Sequence, residues 1–146
     1  MWLALLHRLW TSDRRMRHGL QETTSPCYLC DREEDMVEHI LMQCVFARQV
    51  WHQCFLETGI SSSLIPTGQA TLQDWWAAAR KHVTKTQRKD FNAFVMLVCW
   101  CIWKQRNVSV FGRNDICNER GTVHLIMRER HLWAIARDGG ALPSRE

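Results

Sequence analysis

A chain of 146 residues, 46% of them hydrophobic and eight of them Trp, is long enough for one compact domain and too apolar for a disordered one. Its formal charge of +4 suits a polyanion partner without demanding one. Seven cysteines, an odd number, behind a start "MWLALLHRLW" with no basic n-region or cleavage site argue against a secreted disulfide framework; an intracellular protein of the nucleus or cytoplasm is expected.

In chain order, Trp2, Leu5, Leu6, Leu9 and Trp10 recur at helical spacing and predict a short amphipathic helix over 2–10. Thr11, Ser12 or Asp13 can cap a second short turn that Gly19 ends. Beyond a cysteine-bearing segment, in which Asp35 can cap a helix over "MVEHILMQ", a helix is predicted from about Val45 to Thr58. It buries Phe46, Val50, Trp51, Cys54 and Phe55 and is stopped by Gly59. The stretch "ISSSLIPTGQ" gathers Ser, Pro and Gly and reads as a linker. Thr71 then caps "LQDWWAAARKHV", with Asp74 in the first turn. The longest helical candidate spans 87–110, and its centre, apolar all round, predicts a helix surrounded by the others. That apolar run, 93–103, is too short for the roughly 18 residues or more of a membrane span, so no membrane association is expected. A last helix over about 119–137 carries Val123, Ile126, Met127, Leu132 and Trp133 before "DGG" ends it. Alternating strand patterns are scarce. The fold class is therefore all-α, a small helical bundle with an irregular metal-knuckle insertion near the N-terminus and a core that includes Trp51, Phe94, Val98 and Trp103.

Within "CYLCDREEDMVEHILMQC" four donors stand at the spacing Cys-x2-Cys-x8-His-x4-Cys: Cys27, Cys30, His39 and Cys44. Small structural zinc sites draw two thiolates from a Cys-x2-Cys turn and complete the tetrahedron with a later His and Cys. Pro26 favours a tight knuckle at Cys27 and Cys30, while His39 and Cys44 return to one side if the intervening helix frays or ends near Gln43. The histidine favours Zn2+ over an iron–sulfur cluster. Three thiolates and one imidazole leave no open position, so the site is expected to be structural. A thioredoxin-like role for the Cys-x2-Cys needs a βαβ context that the helical pattern does not offer. Cys54, Cys99, Cys101 and Cys117 fall mainly on apolar faces and read as small core residues.

These residues resemble the zinc-binding domain that follows the polymerase in plant non-LTR retrotransposon reverse transcriptases. "WTSDRRMRHGL" and "CYLCDREEDMVEHILMQCVFARQVW" carry the likeness, and "CWCIWKQRNVSVF" at 99–111 is similar to a Trp- and Arg-containing block downstream in the same reading frames. "HLWAIARDGGA" resembles their closing residues. The resemblance implies a zinc-binding domain over 1–59, clipped at its N-terminus, a linker over 60–70, and a helical region over 71–146 packed on the first. It assigns the zinc role to Cys27, Cys30, His39 and Cys44. No polymerase signature comes with it: the sole tyrosine is Tyr28, and no aromatic-x-Asp-Asp turn or ribonuclease H carboxylate set is present.

The function expected is a non-catalytic zinc module that contacts RNA or DNA weakly and without sequence preference. Its candidate contacts are Arg14, Arg15, Arg17, Arg48, Lys104 and Arg106. Further basic residues, such as His18, Arg32 and the group Arg80, Lys81, Lys85, Arg88 and Lys89, can equally be solvated faces. The alternatives are a host-adopted protein-interaction domain, binding a protein partner through its Trp-rich helices, and a folded relic without selected activity. No nucleophile–base set, phosphate loop or paired carboxylates nominate an enzyme.

Overall fold

A computed structural model of the chain describes residues 16–19, 26–66, 71–110 and 118–139. The helix expected over 2–10, together with Arg14, Arg15 and Cys117, lies outside the described residues. Among the described residues, four α-helices follow the segment 26–38: α1, Val45–Thr58; α2, Leu72–Arg80; α3, Arg88–Val110; and α4, Glu119–Arg137. A π-helical turn, His39–Gln43, precedes α1, and a 3-10 turn, Ser62–Leu64, follows it. Among the described residues there is no strand, only an isolated antiparallel bridge between Pro26 and Glu34.

Local chemistry accounts for most boundaries. Gly59 ends α1 in the left-handed conformation, φ 73°, which a residue without a Cβ adopts at little cost; its N–H donates to the Leu56 carbonyl at 3.4 Å, and the Ile60 N–H donates to the Phe55 carbonyl at 3.1 Å. Thr71 caps α2 by accepting from the Asp74 N–H at 3.1 Å, and Asp74 sits where the helix dipole favours a negative charge. The capped helix stops at Arg80, short of the expected Val83. Asn118 caps α4 in the same manner, its side-chain oxygen accepting from Gly121 N–H at 2.5 Å.

One hydrophobic cluster joins the whole described chain, running from Cys27 through Ile40–Met42, α1 and α3 to Val123 and Ile126 on α4. Trp51, Phe94, Val98 and Trp103 all lie in it. Trp51 is at its centre, fully buried, edge-on to Phe55 at 5.8 Å and to Trp75 of α2 at 5.1 Å. Two tryptophans fasten α2 by their indole N–H groups: Trp75 donates to the Leu64 carbonyl at 2.8 Å, and Trp76 to Asn92 Oδ1 on α3 at 2.9 Å. Such partners are what an indole needs when its ring is taken from water.

α3 packs against the π-helical turn, α1, α2 and α4, but it is not enclosed all round as its composition suggested. Trp100 is 48% exposed, with Lys104 Nζ 5.6 Å from its ring. Four neighbours cover most of the helix circumference, and the stripe through Trp100 and Lys104, four residues apart, is left facing water. Trp133, one of the apolar residues of α4, is likewise 47% exposed. It lies on the last turns of α4, where the cluster no longer reaches. No helix among the described residues is long and apolar enough to cross a membrane.

Candidate metal centre

The segment before α1 has too little regular structure to stand by itself, and its backbone is folded on itself by short hydrogen bonds. The Cys27 N–H donates to the Glu33 carbonyl at 2.5 Å, and Asp31 N–H returns to the Cys27 carbonyl at 2.8 Å. Asp31 takes a left-handed φ of 59°, which an Asp tolerates better than most side chains. These contacts make a closed knuckle that presents Cys27 and Cys30 together.

The other two donors are brought in by a change of helix type. In an α-helix, a residue five positions on lies roughly 140° out of phase with the first, so a His-x4-Cys pair would diverge. Here the helix begun at Val37 widens into the π-helical turn, and Cys44 N–H donates to the His39 carbonyl at 2.6 Å, closing the i to i+5 ring that defines such a turn. The expectation of a helix fraying near Gln43 thus resolves into a specific wider turn. Cys44 then leaves the helical conformation, with ψ 138°, and starts α1. The turn is held from below by the Trp51 indole N–H, which donates to the Leu41 carbonyl at 2.7 Å.

The donor atoms of Cys27, Cys30, His39 and Cys44 all lie within 4.8 Å of one another. Cys27 Sγ is 3.9 Å from Cys44 Sγ, and Cys30 Sγ is 3.3 Å from His39 Nε2. Two sulfurs bound at the usual zinc distance on a tetrahedron stand about 3.8 Å apart. The set is therefore gathered closely enough to hold a four-coordinate ion. Its electrostatics point the same way. The Cys44 thiol, hydrogen-bonding to Cys27, holds the Cys27 thiol down to about 5 against the opposing effect of burial, with the backbone amides of Leu29 and Cys30 assisting. Cys44 is pushed up by that shared proton and by burial, while the amides of Phe46 and Ala47 at the start of α1 pull the other way. One shared proton between two buried sulfurs is the arrangement a divalent cation replaces.

Residues 1–51 match the model of a protein family described as zinc-binding in reverse transcriptase. No curated protein and no solved structure matches the chain. The fold and the site define a structural Cys3His metal module on a helical bundle. Its first 51 residues are similar to the zinc-binding domain found in reverse transcriptases, and that match together with the four-donor cluster implies zinc as the metal. The match identifies this domain and no catalytic one. Cys27, Cys30, His39 and Cys44 would hold the zinc, which would cross-link the knuckle, the π-helical turn and the start of α1; a four-coordinate structural site of this kind would leave no position for substrate.

The basic candidates are dispersed. Arg17 is exposed on the turn ended by Gly19, and Arg48 is exposed on α1. Lys104 is exposed beside Trp100. Arg106, expected to face a nucleic acid, is only 5% exposed: its guanidinium is paired with the Asp35 carboxylate at 2.5 Å and lies over the rings of Tyr28, at 5.0 Å, and Trp103, at 4.8 Å. The physical reason was present in the sequence, because Cys99, Ile102 and Arg106 share the inward face of α3 at i, i+3 and i+7. The sequence reading also passed over Arg120, His124, Arg128 and His131, which recur every three or four residues and are all exposed on α4.

Proposed function

We propose that this chain is the non-catalytic zinc module of a plant non-LTR retrotransposon reverse transcriptase, and that it grips RNA or DNA through the phosphate backbone. The closed Cys3His donor set carries the reading: it is built to hold a fold together and offers nothing to activate water or substrate. A reducing compartment, the nucleus or cytoplasm, suits three thiolates that must stay free of disulfides. The exposed row Arg120, His124, Arg128 and His131 on α4 supplies two guanidinium charges with imidazoles between and beyond them on one side of the helix, and Arg17, Arg48 and Lys104 add charge elsewhere. A rigid helix with charges spaced along one side matches a polyanion better than scattered side chains do. Few phosphates can be met by so small a set, so affinity falls near the non-specific range of ~10⁻⁴–10⁻⁶ M at physiological salt.

The test is a salt series of binding to RNA, single-stranded DNA and duplex DNA with zinc-loaded protein. Binding should weaken steeply with salt for all three, and Arg120→Ala with Arg128→Ala should flatten the slope while zinc content stays the same. Absence of binding at low salt contradicts the reading. It would favour a host-adopted protein-interaction domain, for which the half-exposed Trp100 and Trp133 offer anchors, or a folded relic.

A further inference from the structure

The block "WKQRN" at 103–107 lies beyond the matched family domain and has no chemistry of its own, yet its arginine reaches the metal knuckle. Arg106 and Asp35 are 71 residues apart in sequence. The guanidinium meets the carboxylate with two parallel bonds, Nε to Oδ1 at 3.2 Å and Nη2 to Oδ2 at 2.5 Å. Asp35 is fully buried. The guanidinium plane lies 5.0 Å from the ring of Tyr28 and 4.8 Å from that of Trp103, and Nη1 donates to Asn107 Oδ1 at 3.2 Å. Tyr28 stands between Cys27 and Cys30. Asp35 stands at the exit of the knuckle, just before the turn that carries His39. One side chain on α3 therefore fixes the polypeptide both within the first ligand pair and on the approach to the third ligand.

We propose that Arg106 is a positioning residue of the zinc centre, clamping the segment from Cys27 to His39 through Tyr28 and Asp35, so that retention of zinc depends on α3. Groups that orient a metal's ligands from outside the coordination sphere typically change metal affinity ~10–100-fold when removed. Arginine is suited to the task because its planar fork meets a carboxylate in two places while its faces stack on aromatic rings; lysine can do only part of this. The zinc-holding unit thus extends past residue 51 to include the second half of the chain, and this does not depend on any nucleic-acid partner.

The experiment measures the rate at which full-length, zinc-loaded protein surrenders its metal to an excess of chromophoric chelator. Cobalt-substituted samples report the ligand set by their d–d bands. Arg106→Lys and Asp35→Asn are compared with Val123→Ala, a core change on α4, the helix that carries neither member of the pair. Arg106→Lys and Asp35→Asn should each release zinc ~10–100-fold faster with cobalt bands of unchanged energy, showing the same four ligands less firmly held. Val123→Ala should release zinc at close to the native rate even where its melting temperature falls as far. Release by Arg106→Lys and Asp35→Asn at the native rate, or no faster than Val123→Ala at equal loss of thermal stability, overturns the proposal. If Arg106→Lys does not fold, Asp35→Asn decides by the same comparison.

Discussion

Two side chains outside the ligand set show how much the metal centre asks of single residues. Trp51 is a core residue by volume, but its indole N–H also satisfies the carbonyl of Leu41 near the end of the π-helical turn, where the last carbonyls of a helix lack partners within it. Trp51→Phe keeps an aromatic ring and removes the donor. A buried acceptor left unsatisfied costs about 1–3 kcal/mol, with a further loss for the smaller ring. Urea denaturation of the zinc-loaded variant should show a loss of at least that order; a midpoint equal to the native one would mean the bond contributes nothing. The other residue is Arg106, whose burial was legible in the i, i+3, i+7 pattern of Cys99, Ile102 and Arg106. Its charge drew attention to the surface, whereas its position on the stripe, next to Trp103, pointed inward. What the sequence does not contain is the partner: Asp35 sits among Glu33, Glu34 and Glu38, and nothing local marks which carboxylate an arginine 71 residues away will find.

At the scale of elements, legibility followed local chemistry. α1 ends at Thr58 because Gly59 takes the left-handed conformation, and α2 begins at Leu72 because Thr71 caps it, both readable from single residues. The π-helical turn was not readable as such, since its width is set by the need of His39 and Cys44 to meet rather than by propensity. The exposed stripe of α3 was missed because composition tells how apolar a helix is, not how many neighbours it acquires. The buried thiols of α1 and α3 give this packing a measurable signature. Burial pushes Cys54 up to about 12, with Glu57 adding to the effect. Burial also pushes Cys101 up to about 11, against the pull of Lys104, and drives Cys99 upward too. These thiols ionise more easily in the unfolded chain, at their ordinary value near 9, than in the folded one. Above pH 9 the unfolded state therefore holds fewer protons, and stability contributed by the neutral thiols, fully present below pH 9, is lost as pH rises toward 11 and 12. Urea midpoints should fall more between pH 8 and pH 10.5 for the native protein than for a Cys54→Ala, Cys101→Ala variant, in which only the Cys99 part of that linkage remains. An equal fall in both would show that other groups set the alkaline limit.

For the molecule as a whole, the metal ligands and the bundle share one hydrophobic cluster. Cys27 and Cys44 are themselves members of the hydrophobic cluster that also includes Ile126 of α4, and Asp35 and Arg106 tie the knuckle to α3. The four ligands were legible from spacing alone, because a Cys-x2-Cys turn followed by His and Cys is a pattern that few other chemistries require. The dependence of that site on distant helices was not, because it lies in contacts between segments that carry no shared motif. The central claim is that one zinc ion is held by Cys27, Cys30, His39 and Cys44 as a closed structural site. Zinc K-edge X-ray absorption on the purified protein, with metal content determined on the same sample, tests it most directly. The expected result is one zinc per chain, with three sulfurs at ~2.3 Å and one nitrogen at ~2.0 Å, and two sulfurs or a missing metal in Cys30→Ser. A folded native protein that purifies without zinc, or a spectrum dominated by oxygen and nitrogen neighbours, would contradict it.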